Sequence, residues 1–182
     1  MLVDLRALAA DPAFQGSLVL VIGEYGLALA RQQGLGPVLK VGNWVWPVLV
    51  AAAEAGVRDL LLLGYHGKLI KLAGGIFHTH HHLADGRLEV LVALGLDAGL
   101  SAAQLMQLRG AASVEEAFQA MDADQARAIG QHLAAMVEQR SQSYVARYGA
   151  WPMRIGAALF DRSRILRWWG REGEKRFFKL MD

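Results

Sequence analysis

A chain of 182 residues that is 54% hydrophobic and 20% charged can bury one sizeable core, which excludes a disordered chain and leaves no room for two large domains. A formal net charge of +2, with basic residues gathered only between Arg162 and Lys179, does not ask for nucleic acid. Zero cysteines exclude disulfides, thiolate nucleophiles and cysteine-held metal centres, so any metal would need His, Asp or Glu.

The opening Met1–Asp11 reads as a short helix, with Asp4 and Arg6 where a signal peptide needs a clean apolar stretch. No run of about eighteen apolar residues occurs, so the expectation is a cytoplasmic chain without a membrane segment. Ser17–Ile22 (SLVLVI) predicts a strand that breaks at Gly23-Glu24-Tyr25-Gly26 and gives way to a helix from Leu27 to Gln33. Val38–Val41 predicts a second short strand, and Asn43 stands where a cap belongs before a helix from Trp44 to Ala55. Asp59–Tyr65 (DLLLLGY) is an apolar run between turn residues, as a strand buried on both faces requires.

His66 to Asp85 follows as a long connection in which two lysines, paired glycines and four histidines meet. Helices are then expected over Asp85–Ala98 and Ser101–Leu108, from Ser113 with Glu116 three residues on, and from Asp124 to about Tyr148. Arg154–Phe160 predicts a last strand before a basic tail whose Trp168, Trp169, Phe177 and Phe178 suit either an interface or local core. Strands alternating with helices imply an α/β fold: an open, mostly parallel sheet with flanking helices, in three layers. We read residues 1–182 as a single domain of this kind, with a helical extension at about 99–150 and a short strand plus basic tail at 151–182.

Several segments are candidates for chemistry. Gly23 and Gly26 sit between a strand and a helix, where backbone N–H groups and the helix dipole favour a carboxylate or phosphate, although a plain tight turn uses the same residues. Gly42-Asn43-Trp44-Val45-Trp46 puts two indoles at a second strand-to-helix junction, as a stacking shelf or as core. Lys40, Lys68, Lys71 and Arg87 lie near strand ends or their connections, where a polycarboxylate would be received. His78, His80, His81 and His82 form the densest signal. In a strand, His78, His80 and His82 would share a face, as a metal site or a hydrogen-bonding rim requires, but a remote carboxylate would be needed to close a metal ligand set. Asp85 and Glu89, one helical turn apart, suit a ligand contact or an exposed helix face.

The stretch Gly64–Glu89, GYHGKLIKLAGGIFHTHHHLADGRLE, resembles the CbiD family of cobalt-precorrin-5B C1-methyltransferases. The resemblance is carried by His66, Gly67, Lys68, Leu69, Lys71, Ala73, Gly74, Gly75, Ile76, Thr79, His80, Ala84, Asp85, Arg87 and Glu89. Lys40–Gly56 is similar to the family, and Ser17–Gly26 more loosely so. Family members are considerably longer, with a preceding domain that contains a threonine- and glycine-rich opening motif, and nothing here corresponds to it.

The resemblance implies methyl transfer from S-adenosylmethionine to C1 of a cobalt-containing macrocycle. In that expectation Gly23, Gly26, Gly42 and Asn43 hold the cofactor. His66, Lys68, Lys71 and Arg87 receive the cobalt-precorrin substrate, and His80 with Asp85 handles the proton. No protein metal ligand is assigned. The expected partners are the substrate, an N-terminal half or partner subunit, and a second copy of the chain. Two alternatives stay open: a non-catalytic tetrapyrrole- or nucleotide-binding module, and a histidine-ligated metalloprotein.

Overall fold

Leu18–Ile22 and Leu60–Leu63 are buried without interruption, which strands achieve only when both faces of their sheet are covered. The computed structural model describes residues 1–80 and 82–179, and the side chains up to residue 176 apart from residue 81. Its helices are α1 (Leu2–Ala10), α2 (Glu24–Gln32), α3 (Val45–Glu54), α4 (His66–Ala73), α5 (Arg87–Asp97), α6 (Ala102–Gly110), α7 (Val114–Gln119), α8 (Ala123–Val145) and α9 (Arg171–Lys179). The strands are β1 (Ser17–Ile22), β2 (Val38–Val41), β3 (Asp59–Tyr65), β4 (Arg154–Phe160) and β5 (Leu166–Trp169).

They form one sheet in the order β2-β1-β3-β4-β5, parallel through β4 and antiparallel at the β5 edge. Alternation along the strands divides the core between the two faces. Leu18, Leu20, Leu60, Leu62, Ile155 and Ala157 turn toward the core shared with α3, α4, α5 and α8, while Val19, Val21, Leu61, Leu63 and Ala158 meet Leu29 and Ala30 of α2. The result is the three-layer, mostly parallel α/β sheet that the sequence pattern implied. No helix among the described residues is long and apolar enough to cross a membrane.

Local details depart from the expectations in five places. α2 begins at Glu24, immediately after Gly23, because the positive φ of Gly23 (87°) turns the chain in one residue. α3 begins at Val45 without a side-chain cap, and Asn43 instead accepts a hydrogen bond from the Thr79 hydroxyl at 3.1 Å. The connection after β3 opens as helix α4, whose apolar residues bury Leu69, Ile70 and Leu72. His78 and His80 lie not in a strand but in a loop joined to the sheet end by one bridge, Trp44 to His78; the expectation for His81 lies outside the described residues. The tail folds as β5 and α9.

Contacts with the rest of the fold fasten that tail, among them an ion pair between Arg176 and Asp59. Trp168 stacks on Phe118 (centroids 4.7 Å apart) and closes over Gly130, where a Cβ would come within 2.1 Å of the indole, so Trp168 is packing rather than interface. Glu138 of α8 accepts N–H bonds from Ala157 (3.0 Å), Gly173 (2.7 Å) and Glu172 (3.2 Å), serving as a remote cap for α9. Burial pushes the Glu138 carboxyl above its ordinary value despite those donors. The side chains of Phe177 and Phe178 lie outside the described residues.

Candidate functional site

From β1 the chain crosses to β2 on one side of the sheet and then to β3 on the other, so the carboxyl ends of β1 and β3 flank the point where strand order reverses. Open α/β sheets form their ligand crevice there. A cavity of about 600 Å³ occupies this position, within the ~300–1,000 Å³ range of small-molecule sites. Its walls come from the end of β1 (Ile22, Gly23), the first turn of α2 (Glu24, Tyr25), Tyr65 of β3, Lys68 of α4, Ser113 and Glu115 at α7, Phe160 at the end of β4, and Asp161, Arg162 and Arg164 beyond it.

Gly23 adopts φ 87° and ψ 174°, a conformation open almost only to glycine. A Cβ there would lie 3.4 Å from Lys68 Nζ, so the glycine and the ammonium share one corner at the amino end of α2. Ile22 is in register with Val41, which sets Gly42 beside Gly23 along the sheet edge with open space at its Cβ position. Gly26, also expected at the cofactor, is buried instead: its Cβ position is 3.2 Å from Val21 and 3.3 Å from the Leu63 carbonyl, so it lets α2 approach the sheet.

Three cations (Lys68, Arg162, Arg164) and three carboxylates (Glu24, Glu115, Asp161) line the cavity, and two of the carboxylates are paired with cations outside the lining. Glu24 pairs with Lys40, and Asp161 accepts from Ile165 N–H (3.0 Å) and Arg167 Nε (2.7 Å). Burial pushes the Asp161 carboxyl up, but those donors outweigh it and hold the group below its ordinary value. Arg164 lies 4.1 Å over the Tyr25 ring. Lys68 and Arg162 have no hydrogen-bond or ion-pair partner among the described residues. An anionic ligand group fits these unpartnered cations.

One wall is a polar trio. Glu115 Oε2 accepts from the Tyr65 hydroxyl (3.1 Å) and lies 2.9 Å from His66 Nε2. The His66 ring is 1% exposed, with Phe118 and Trp168 meeting it edge-on at 5.0 and 5.5 Å, and its Nδ1 has no hydrogen-bond partner among the described residues. Burial holds His66 below its ordinary value although Glu115 pulls the other way, so the ring is neutral with its proton on Nε2, facing the carboxylate. Burial, reinforced by the Glu115 charge, pushes the Tyr65 hydroxyl up to about 12. Gly67 makes room for this arrangement, since a Cβ there would come within 2.5 Å of the Tyr65 ring.

The remaining expected site residues organise the loop beyond α4. Lys71, expected to receive a substrate carboxylate, is 1% exposed and donates to the carbonyls of His80 (3.3 Å) and Ala84. Burial depresses its ammonium below the ordinary value, opposed by the Asp85 charge. His80 also donates its N–H to His78 Nδ1 (3.3 Å) and accepts from His82 N–H (3.4 Å). Among the described residues no group of three His, Asp or Glu side chains could hold a metal ion. Asp85 and Arg87 form a two-pronged ion pair, which holds Asp85 below and Arg87 above its ordinary value. They border a smaller hollow of about 170 Å³ that shares Ser113 with the main cavity. Trp44 and Trp46 are exposed, their ring centroids 6.5 Å apart, and Trp44 meets His78 edge-on.

Of the expected site residues, then, the fold gathers Gly23, Gly42, Lys68 and His66 at one sheet edge, sets Asp85 and Arg87 at a neighbouring hollow, and commits Asn43, Lys71 and His80 to holding the connector. Sequence reasoning missed Tyr65, Glu115, Asp161, Arg162 and Arg164. The strand-end rule pointed to Tyr65 and Asp161, which terminate β3 and follow β4. Nothing local pointed to Glu115, which reaches the site from a helix 50 residues past Tyr65.

The family model described as CbiD, C-terminal domain, matches residues 78–171, more than half of the chain. A cobalt-precorrin-5B C(1)-methyltransferase of Synechococcus sp. (strain CC9605) is 86% identical over 182 residues, covering 100% of this chain and 50% of the relative. Proteins of the same name from Parasynechococcus marenigrum (strain WH8102) and Prochlorococcus marinus (strain NATL1A) are 72% and 48% identical, over 98% and 93% of this chain and 50% and 46% of their own lengths. The chain thus spans about half the length of the curated relatives it matches. No solved structure matches it. With a family model that matches more than half of the chain, including α7 and the end of β4 at the cavity, the chain belongs to the CbiD family.

Proposed function

We propose that the chain supplies the S-adenosylmethionine site of a cytoplasmic cobalt-precorrin-5B C1-methyltransferase, completed by a further half or partner subunit. The observation that supports this reading most is the cavity at the switch point, whose cations Lys68 and Arg162 have no partner among the described residues. The methionyl carboxylate of the cofactor suits Lys68 and the first N–H groups of α2 beyond Gly23. The aromatic walls at Tyr25 and Phe160 suit its adenosine. Arg162, Arg164 and the Asp85–Arg87 hollow suit the carboxylates of the macrocycle, which is the substrate.

The macrocycle carbon is itself the nucleophile, so the protein's task is to align donor and acceptor and exclude water, an effect that reaches roughly 7–11 kcal/mol in favourable systems. Asn43, Lys71 and His80 act in this reading by holding the connector, not by touching ligand.

Calorimetric titration of the chain with S-adenosylmethionine and S-adenosylhomocysteine tests the reading. Saturable binding that survives dialysis against a chelator and weakens in Lys68→Ala is expected. Absence of binding would remove the cofactor from this cavity. Binding without methyl transfer in the full-length protein would leave a non-catalytic binding module.

A further inference from the structure

The sulfonium donor carries a positive charge that its thioether product lacks, so a neutral carbon acceptor that gains the methyl group must release a proton. The cavity's carboxylates differ in their fitness to take it. Glu24 is neutralised by Lys40 and Asp161 by Arg167, whereas among the described residues Glu115 Oε2 meets neutral donors alone, the Tyr65 hydroxyl and His66 Nε2–H. Both donors converge on Oε2. Among the described residues Oε1 has a single long contact, with Gln119 Nε2 (3.4 Å), and keeps lone pairs to accept a proton.

Resting on the methyltransferase reading, we propose that Glu115 is the proton acceptor of this cavity, with Tyr65 and His66 as positioning residues. As the new C–CH₃ bond forms at the acceptor, the S–CH₃ bond breaks and its electron pair stays on sulfur. The acceptor's proton passes to Glu115 Oε1, leaving a neutral carboxyl that returns the proton to solvent through the open cavity. Both donors to Oε2 are themselves buried or half-buried, so the carboxylate keeps one orientation from one turnover to the next. The charges facing the trio are Arg162 and Arg87 toward Tyr65 and Asp161 toward His66, and they act on all three groups together.

The test compares wild type, Glu115→Gln and Glu115→Asp in the full-length protein, reading S-adenosylhomocysteine affinity, methyl transfer against pH, and the imidazole ¹⁵N shifts of His66. We expect Glu115→Gln to stay folded by circular dichroism and to bind S-adenosylhomocysteine within about twofold of wild type. It should lose roughly 100-fold or more in turnover together with the acid limb of the pH profile. Glu115→Asp should retain part of both, and His66 should show the Nε2–H tautomer in wild type. Tyr65→Phe should lower kcat with KM unchanged. Turnover by Glu115→Gln at the wild-type rate would overturn the assignment and leave the methyltransferase reading intact. A loss of binding matching the loss of turnover would overturn it too, by making Glu115 a binding residue. A wild type that neither binds nor methylates would remove the reading and the assignment with it.

Discussion

Lys68 Nζ stands 3.4 Å from the point where a Cβ on Gly23 would be, so one lysine and one glycine meet at a single corner of the cavity. Gly23→Ala would force a side chain into a positive-φ conformation, at a cost of about 1–3 kcal/mol, and place a methyl group against the ammonium. The expected outcome is a fall in melting temperature and about a tenfold loss of S-adenosylhomocysteine affinity, read by thermal melt and calorimetry on one sample.

Lys68 and Arg162 are exposed and have no partner among the described residues, so removing their charge should spare stability and weaken ligand binding. We expect Lys68→Ala and Arg162→Ala each to leave the melting temperature within a degree or two and to flatten the salt dependence of binding. Titrations at low and high ionic strength check this. Unchanged salt dependence in both variants would place the ligand's anionic groups elsewhere.

Lys71→Met should behave in the opposite way. The substitution keeps the apolar stem but strips the carbonyls of His80 and Ala84 of their donor, at about 2–3 kcal/mol. Limited proteolysis should then cut within 77–86 well before the wild type is cut. If ligand affinity collapsed with no change in stability, Lys71 would be a contact residue after all.

His66 makes stability depend on pH. Its folded-state value is held below the ordinary 6.5, so the unfolded chain takes up a proton that the folded protein refuses. Stability from this group is full above 6.5 and is lost as pH falls toward the folded value, at up to about 1.4 kcal/mol per pH unit. Asp85, Asp161 and Glu172, held below their ordinary values, lose their contribution only in stronger acid. Glu138, held above its ordinary value, acts in the opposite sense in both proteins, so urea midpoints between pH 7.5 and 5.5 should fall more for wild type than for His66→Gln.

Glu138→Ala should release the tail. It leaves the N–H groups of Ala157, Glu172 and Gly173 without their shared acceptor, costing about 3 kcal/mol, and α9 should exchange its amide protons first. Hydrogen exchange that remained uniform across the chain would show that Trp168 on Gly130 and Arg176 with Asp59 hold the tail without Glu138.

The strands and their order of appearance were legible in the sequence because Ser17–Ile22, Val38–Val41, Asp59–Tyr65 and Arg154–Phe160 are short apolar runs between turn residues, and burial on both faces demands that composition. The motif from Gly64 to Glu89 determined the family by the same directness. Local pattern failed at β5 and α9, where basic residues mask the structure and stability comes from Trp168 closing on Gly130 and from Glu138 of a distant helix. It failed at Lys71 as well, since a lysine's spacing does not reveal that two carbonyls will surround its ammonium. Only the tertiary structure decided which candidates meet: parallel strands carry Gly23, Gly42 and Tyr65 to one edge, and α7 returns Glu115 to it from 50 residues away. Local composition encodes which residues must be buried; the site depends on crossovers between segments far apart in the chain, and these are set by packing.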